Sequence, residues 1–216
     1  MSAASRAPQR SKRAPQSSRR ATRVRRRATL AAGAAATALL VSACTSGGTS
    51  GGGGNTNFVV GKDGISTVAA GKRVAAPELS GETLEGKPLD VADYKGKVVV
   101  LNVWGSWCNP CRAEAKYFAK VSKDYAGQGV QFVGINTRDG STTAALAFEE
   151  DFGIPYPSLY DPTGKLMLRF EKGTLNPQAV PSTLVLDRDG KIAARSLTAL
   201  DEKRLLKMLE PVVAEK

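Results

Sequence analysis

The chain contains no histidine and only 3 cysteines among its 216 residues. Without an imidazole there is no Ser-His-Asp triad, no Cys-His protease pair and no histidine ligand for a metal. Three cysteines fall short of a Cys₄ zinc site, and a Cys₃ site has no histidine to complete it. No metal and no other cofactor is expected, and acid–base work falls to Asp, Glu, Lys, Tyr or Cys. Cys108-Asn109-Pro110-Cys111 is followed by Arg112 rather than His, which excludes a c-type haem attachment sequence. Acidic residues are missing from the first 44 positions, which hold 10 of the 31 Lys and Arg and none of the 20 Asp and Glu. The formal charge of +11 therefore belongs to the first fifth of the chain. The remainder carries 21 cations against 20 anions, a balance of +1. That is no footprint for nucleic acid.

The basic segment has its own logic. Residues 6–27 place ten cations among Ser, Pro, Gln and Ala, and residues 28–43 follow as a 16-residue uncharged run rich in Ala and Leu. That run is short of the ~20 residues that cross a bilayer comfortably. A basic region, a short apolar region and small residues before a cut describe an export signal. Val41-Ser42-Ala43-Cys44 resembles the lipobox of bacterial lipoproteins, which implies removal of residues 1–43 and acylation of Cys44. Residues 44–57, rich in Gly, Ser, Thr and Asn, would then be a flexible tether. The plainer alternative is an ordinary cleaved signal with Cys44 incidental. Arg19-Arg20 and Arg26-Arg27 raise twin-arginine export beside the general route.

A folded domain is expected over 58–216. Phe58-Val59-Val60 and Ile65-Ser66-Thr67-Val68 flank Gly61-Lys62-Asp63-Gly64 as a weak hairpin. Residues 72–97 are turn-rich. Val98 to Trp104 is continuous, largely β-branched and bounded by glycine, as a strand buried on both faces should be. Helical spacing begins at the Cys pair, with Ala115, Phe118, Ala119 and Val121 on one face and Gly127 and Gly129 closing the element. Val130 to Asn136 reads as a second buried strand. Residues 141–152 read as a helix stopped by Gly153, and Leu166 to Phe170 as a short one. Ser182 to Leu186 and Ile192 to Ser196 are strands joined by the turn Asp187-Arg188-Asp189-Gly190. Asp201 to Val213 is a closing amphipathic helix on Leu205, Leu206, Met208 and Leu209. This order predicts an α/β fold with a mixed sheet covered by helices on both faces.

Trp107-Cys108-Asn109-Pro110-Cys111 falls where the buried strand ends and the helix begins. Thiols so spaced at a helix N-terminus lie close enough for a disulfide. Cys108 faces the orphan N–H groups and the positive end of the helix dipole, which favours its thiolate. Cys111, inside the first turn, is the more buried partner and would resolve a mixed disulfide. Pro110 is tolerated in the first turn, where a missing N–H costs little. A structural bridge is the bland alternative, but so small a loop constrains the unfolded chain little.

Residues 95–114, Lys-Gly-Lys-Val-Val-Val-Leu-Asn-Val-Trp-Gly-Ser-Trp-Cys-Asn-Pro-Cys-Arg-Ala-Glu, together with Val180-Pro181-Ser182-Thr183, resemble the TlpA/ResA branch of the thioredoxin superfamily over roughly residues 70–214. The resemblance implies a thioredoxin-like fold and an extracytoplasmic, membrane-tethered thiol–disulfide oxidoreductase. Pro181 matches the cis-proline that lies against the Cys pair and leaves the Val180 backbone free to pair with an extended substrate. Glu114 matches a carboxylate that assists proton transfer; the alternative is a solvated helix-face acid. Asn102 stands where cytosolic thioredoxins carry a buried Asp, which leaves Glu114 as the acceptor. Trp107 is expected beside the Cys108 sulfur and Trp104 in the core. Lys116 departs from the pattern, since many members have a helix-kinking proline there.

The implied partners are disulfide-containing exported proteins, apocytochrome c among them, and a membrane thiol donor of the CcdA type. Anchoring would be by lipid, and the unit is expected to be a monomer. Asn109-Pro110 places no cation between the cysteines, which favours a reductant. Two alternatives stand beside this reading: a peroxiredoxin-like thiol peroxidase, and a non-catalytic surface lipoprotein with an idle fold.

Overall fold

The computed structural model describes residues 56–215. The expectations for residues 1–43, for Cys44 and for the tether as far as residue 55 lie outside them. The strands are β1 (Val59–Val60), β2 (Ser66–Thr67), β3 (Ser80–Glu82), β4 (Pro88–Asp90), β5 (Val98–Trp104), β6 (Val130–Thr137), β7 (Ser158–Asp161), β8 (Ser182–Leu186) and β9 (Ile192–Ser196). The helices are α1 (Asn109–Tyr125), α2 (Thr142–Phe152) and α3 (Glu202–Val213). Seven strands form one mixed sheet in the order β1-β2-β9-β8-β5-β6-β7, and β3 and β4 form a separate antiparallel ribbon. β5 runs parallel to β6 and antiparallel to β8, and β6 runs parallel to β7.

β5 is central because it is apolar on both faces. Its period of two sends Val99, Leu101 and Val103 into one core cluster and Val98 and Val100 into another. The second cluster is closed by Phe118 and Val121 of α1 and by Leu205, Met208, Leu209 and Val212 of α3. The first contains no residue of the three α-helices, so the α-helices line one face of β5 rather than both as expected. The N-terminal section (Phe58, Val68, Leu79, Val91) and a 3₁₀ turn at Met167–Arg169 cover it, with Leu166 and Phe170 alongside. Each fully buried Leu or Phe in these clusters contributes roughly 1.5–3 kcal/mol relative to exposure.

The helix ends follow from local chemistry. Asp201 caps α3 by accepting from the Arg204 N–H at 2.8 Å. Gly153 ends α2 at φ 60°, a left-handed conformation that glycine adopts without strain. Two features depart from the expected element order. The turn-rich 72–97 segment holds the β3–β4 ribbon. After α2 the chain adds β7, which extends the sheet beyond β6.

Candidate redox site

The alternation of β5 places Asn102 and Trp104 on the same face as Val98 and Val100, under α1. Both side chains are buried there. The strand then turns through Gly105, where a Cβ would collide with the Trp107 ring. The Cys108 N–H closes this turn on the Gly105 carbonyl at 3.1 Å. Cys108 is the N-cap of α1, and its sulfur accepts from the Cys111 N–H at 3.2 Å. The two cysteines form a disulfide with Cα atoms 5.3 Å apart. In this oxidised state both are buried, Cys108 at 3% exposure and Cys111 at 1%. A sulfur that accepts a backbone N–H at a helix N-terminus gains most when it carries charge, so the geometry favours a Cys108 thiolate once the bridge opens.

The Val180–Pro181 peptide is cis, and the Val180 carbonyl oxygen lies 3.7 Å from Cys108 Sγ. Val180 also packs against the cluster holding Cys108 and Cys111. Cys108 and Cys111 are thus brought to Val180 and Pro181 across a sequence separation of 72 residues from Cys108 to Val180.

Glu114 sits one turn beyond Cys111 on the inner face of α1, at 2% exposure. It hydrogen-bonds neither sulfur. One carboxylate oxygen accepts from Asn102 Nδ2 at 2.9 Å and the other from the Leu200 N–H at 2.9 Å. Burial raises its pKa from the ordinary 4.5 to about 7, and the two hydrogen bonds only partly offset this. A cavity of about 10 Å³ lies behind Cys111, lined by Asn102, Trp104, Cys111, Ala115, Phe148, Ile154 and Tyr156. Its size is close to what one water molecule needs. Asn102 thus touches both this cavity and the Glu114 carboxylate.

Trp107 is 47% exposed, and its Nε1 donates to the Thr137 carbonyl at 3.2 Å. The Arg138 guanidinium lies 4.6 Å from the Trp107 ring, and Arg138 takes a positive φ of 59°. Asp139, beside it, accepts from the Ser106 N–H at 2.8 Å, from Ser106 Oγ, and from Asn136 Nδ2 at 2.6 Å. The loop after β6 therefore holds the Cys108 turn in place. Sequence reasoning missed Arg138 and Asp139. The available signal was their position just past a buried parallel strand, where α/β sheets gather functional loops. Among the described residues no cluster of His, Cys, Asp or Glu could hold a metal ion. None of their helices is long and apolar enough to cross a membrane.

A redox-active Cys pair at the end of the central strand, facing a cis-proline, defines a thioredoxin-fold thiol–disulfide oxidoreductase. Comparison with known proteins narrows the class. The Redoxin family matches residues 69–209. The thiol-disulfide oxidoreductase ResA of Geobacillus thermodenitrificans is 32% identical over 149 residues, covering 68% of this chain and 81% of the relative. Among solved structures, a DsbF homologue from Corynebacterium diphtheriae is 38% identical with a TM-score of 0.65, covering 73% of this chain and 99% of that one. A secreted thiol-disulfide isomerase from Corynebacterium glutamicum is 32% identical with a TM-score of 0.66, covering 75% and 100%. The chain belongs to the Redoxin family, within its ResA-type thiol–disulfide oxidoreductases.

Proposed function

We propose that the protein is a lipid-anchored reductase on the outer face of the bacterial membrane, acting on disulfides of exported proteins such as apocytochrome c. The observation that carries the reading is the Cys108–Cys111 pair at the α1 N-terminus, set against the Val180 carbonyl and cis-Pro181. In the reduced enzyme the Cys108 thiolate attacks a substrate disulfide, forming a mixed disulfide and releasing one substrate thiolate. The substrate backbone pairs with Val180 while Trp107 offers an apolar ledge. Glu114, through the cavity behind Cys111, takes the Cys111 proton. The Cys111 thiolate then attacks Cys108 Sγ, expels the second substrate thiolate and closes the enzyme disulfide. Two electrons and two protons pass to the substrate, and a CcdA-type membrane thiol donor restores them.

Export and anchoring rest on the basic segment before Cys44, and export also on the similarity to a secreted thiol-disulfide isomerase of Corynebacterium glutamicum. Reductant rather than oxidant follows from the uncharged Asn109-Pro110 between the cysteines. The reduction potential should lie nearer the about −270 mV of thioredoxin than the about −120 mV of DsbA, and a value above about −150 mV reverses the direction.

The direct test is a Cys111→Ser protein that stops at the mixed disulfide. Exported proteins bearing cysteines should be recovered on Cys108 and released by reductant. Recovery of no protein adducts under mild oxidation defeats the reading.

A further inference from the structure

Glu149 on α2 is a second buried carboxyl that the exchange mechanism does not use. It is 8% exposed, and its Oε1 accepts from Ser158 Oγ at 2.6 Å. The Ser158 hydroxyl, fully buried on β7, accepts in turn from Trp104 Nε1 at 3.2 Å. This chain crosses three elements and ends on a wall of the cavity behind Cys111, because Trp104 lines that cavity. The strand between β5 and β7 leaves room for it. Gly134 of β6 is paired with both Asn102 and Ser158, and a Cβ there would collide with Ser158 Oγ and come within 2.8 Å of Trp104 Nε1. The Trp104 ring also stacks on Phe148 of α2 at 4.5 Å, so the indole is held by its edge and by its face.

We propose that Glu149 is a positioning residue for the redox site: through Ser158 it fixes the Trp104 indole that walls the cavity behind Cys111. A buried carboxylate is costly, and an isolated indole N–H could be satisfied by the serine alone. What the acid adds is direction. It accepts the hydrogen bond of the serine O–H, which leaves the Ser158 lone pairs for the indole and locks the ring plane. The groups facing Glu149 are Ser158, Glu85 from the β3–β4 turn and the buried Tyr156 phenol, which feels both Glu149 and Glu114. Among the described residues Glu149 makes no ion pair. Burial raises its pKa to about 7, with the Glu85 charge acting in the same direction and the serine against both. The two buried acids thus grip the same cavity from two sides, Glu114 through Asn102 and Glu149 through Trp104.

The proposal rests on thiol–disulfide chemistry alone, not on which exported protein is reduced. Its test therefore uses small thiol reagents on the full chain. In a Trp107→Phe background Trp104 is the single tryptophan of the chain, which has 2. Its emission should change when dithiothreitol opens the Cys108–Cys111 disulfide. Glu149→Leu and Ser158→Ala should abolish most of that change. Without the Trp107 substitution they should slow attack of the reduced enzyme on dithionitrobenzoate about 10-fold. Glu149→Gln keeps an oxygen for Ser158 to donate to, so it should return the rate to within about twofold of wild type. It should also remove any inflection near pH 7 that Glu149 contributes to the pH–rate profile. Leu209→Ala, a core truncation in α3 within a different cluster from that of Trp104 and Phe148, serves as a destabilised control. The idea fails if Glu149→Leu folds and keeps both the wild-type rate and the Trp104 signal. It fails equally if Glu149→Gln is as slow as Glu149→Leu, or if Leu209→Ala loses as much rate for the same loss of melting temperature. The mixed-disulfide trap can fail while these results hold, so the two readings fall separately.

Discussion

The two ends of the central strand treat carboxylates in opposite ways. At the C-terminal end of β5, around the disulfide, Glu114 and Glu149 are buried without a cation and are held only by neutral donors. At the N-terminal end, Asp187 and Glu215 meet Arg73 at 3.0 and 2.6 Å, and Arg188 donates to the last two carbonyls of α3 and to that of Glu215. Glu215 is accordingly held below its usual carboxylate range, chiefly by the Arg73 hydrogen bond, whereas Glu114 and Glu149 rise to about 7 through burial. An acid meant to hold structure is paired and stays charged. An acid buried among neutral donors instead sits poised near neutrality, as the proton transfer proposed for Glu114 requires.

The largest effect should come from removing the poised charge at Glu114. Glutamine is nearly isosteric: its carbonyl can accept from the Leu200 N–H, and a flipped Asn102 can accept from its amide. The fold should survive Glu114→Gln, while resolution of the mixed disulfide by Cys111 slows by about 10²-fold at pH 7. Rapid mixing of reduced enzyme with a peptide disulfide, quenched and resolved by mass, measures this directly. An unchanged resolution rate would make Glu114 purely structural. The stability sign is fixed by linkage. Glu114 binds its proton more tightly when folded, so its favourable contribution is complete below about pH 4.5 and is lost as pH rises through about 7. Glu114→Gln should therefore be more stable than wild type at pH 8, by roughly 2–3 kcal/mol, and no more stable at pH 4.

Arg73→Ala should do the reverse. It strands Asp187 and Glu215 beside each other with only the Arg188 guanidinium nearby, itself engaged with backbone carbonyls. Because Glu215 is partly solvated, the loss should be about 2 kcal/mol rather than the full cost of an orphaned buried pair. The rate of thiol–disulfide exchange should stay within about twofold of wild type. A chemical denaturation curve and one exchange assay separate the two ends. A drop in exchange rate that matches Glu114→Gln would show that the poles are coupled and that the contrast is false.

The sequence announces the parts whose signals are local. β5 is seven consecutive residues with no charge, α1 and α3 carry apolar faces at helical spacing, and the β8–β9 turn is spelled out by Asp187 to Gly190. The Cys pair is legible because its chemistry sits within four adjacent positions. β7 is not, since Ser158–Asp161 is four residues behind Pro155 and Pro157 and exists through parallel pairing with β6. The β3–β4 ribbon is three residues a side around Gly86 at φ 75°. Glu149 reads as an ordinary helix-face acid until β7 delivers Ser158 to it. The same non-local step separates Arg138 and Asp139 from Trp107 and Ser106, more than thirty positions earlier.

The smallest effect sharpens the comparison most, because it uses one substitution at both ends. Glu215→Gln removes a charge that Arg73 holds, and its native contribution is present above the ordinary carboxylate range and lost as pH falls through the lowered pKa. At pH 8 the variant should lose about 0.5–1 kcal/mol, a fall in melting temperature of about 2–3 °C, and at acid pH the difference should close. Glu149→Gln removes a charge that nothing holds except a serine. At pH 8 it should raise the melting temperature, and that gain too should vanish below pH 4.5, where glutamic acid is already neutral in both states. The same chemical change thus gives shifts of opposite sign at one pH and none at another. If both variants moved the same way at pH 8, the carboxylates at the two ends of β5 would not differ in kind, and the poised acids at the redox site would be structural like the rest.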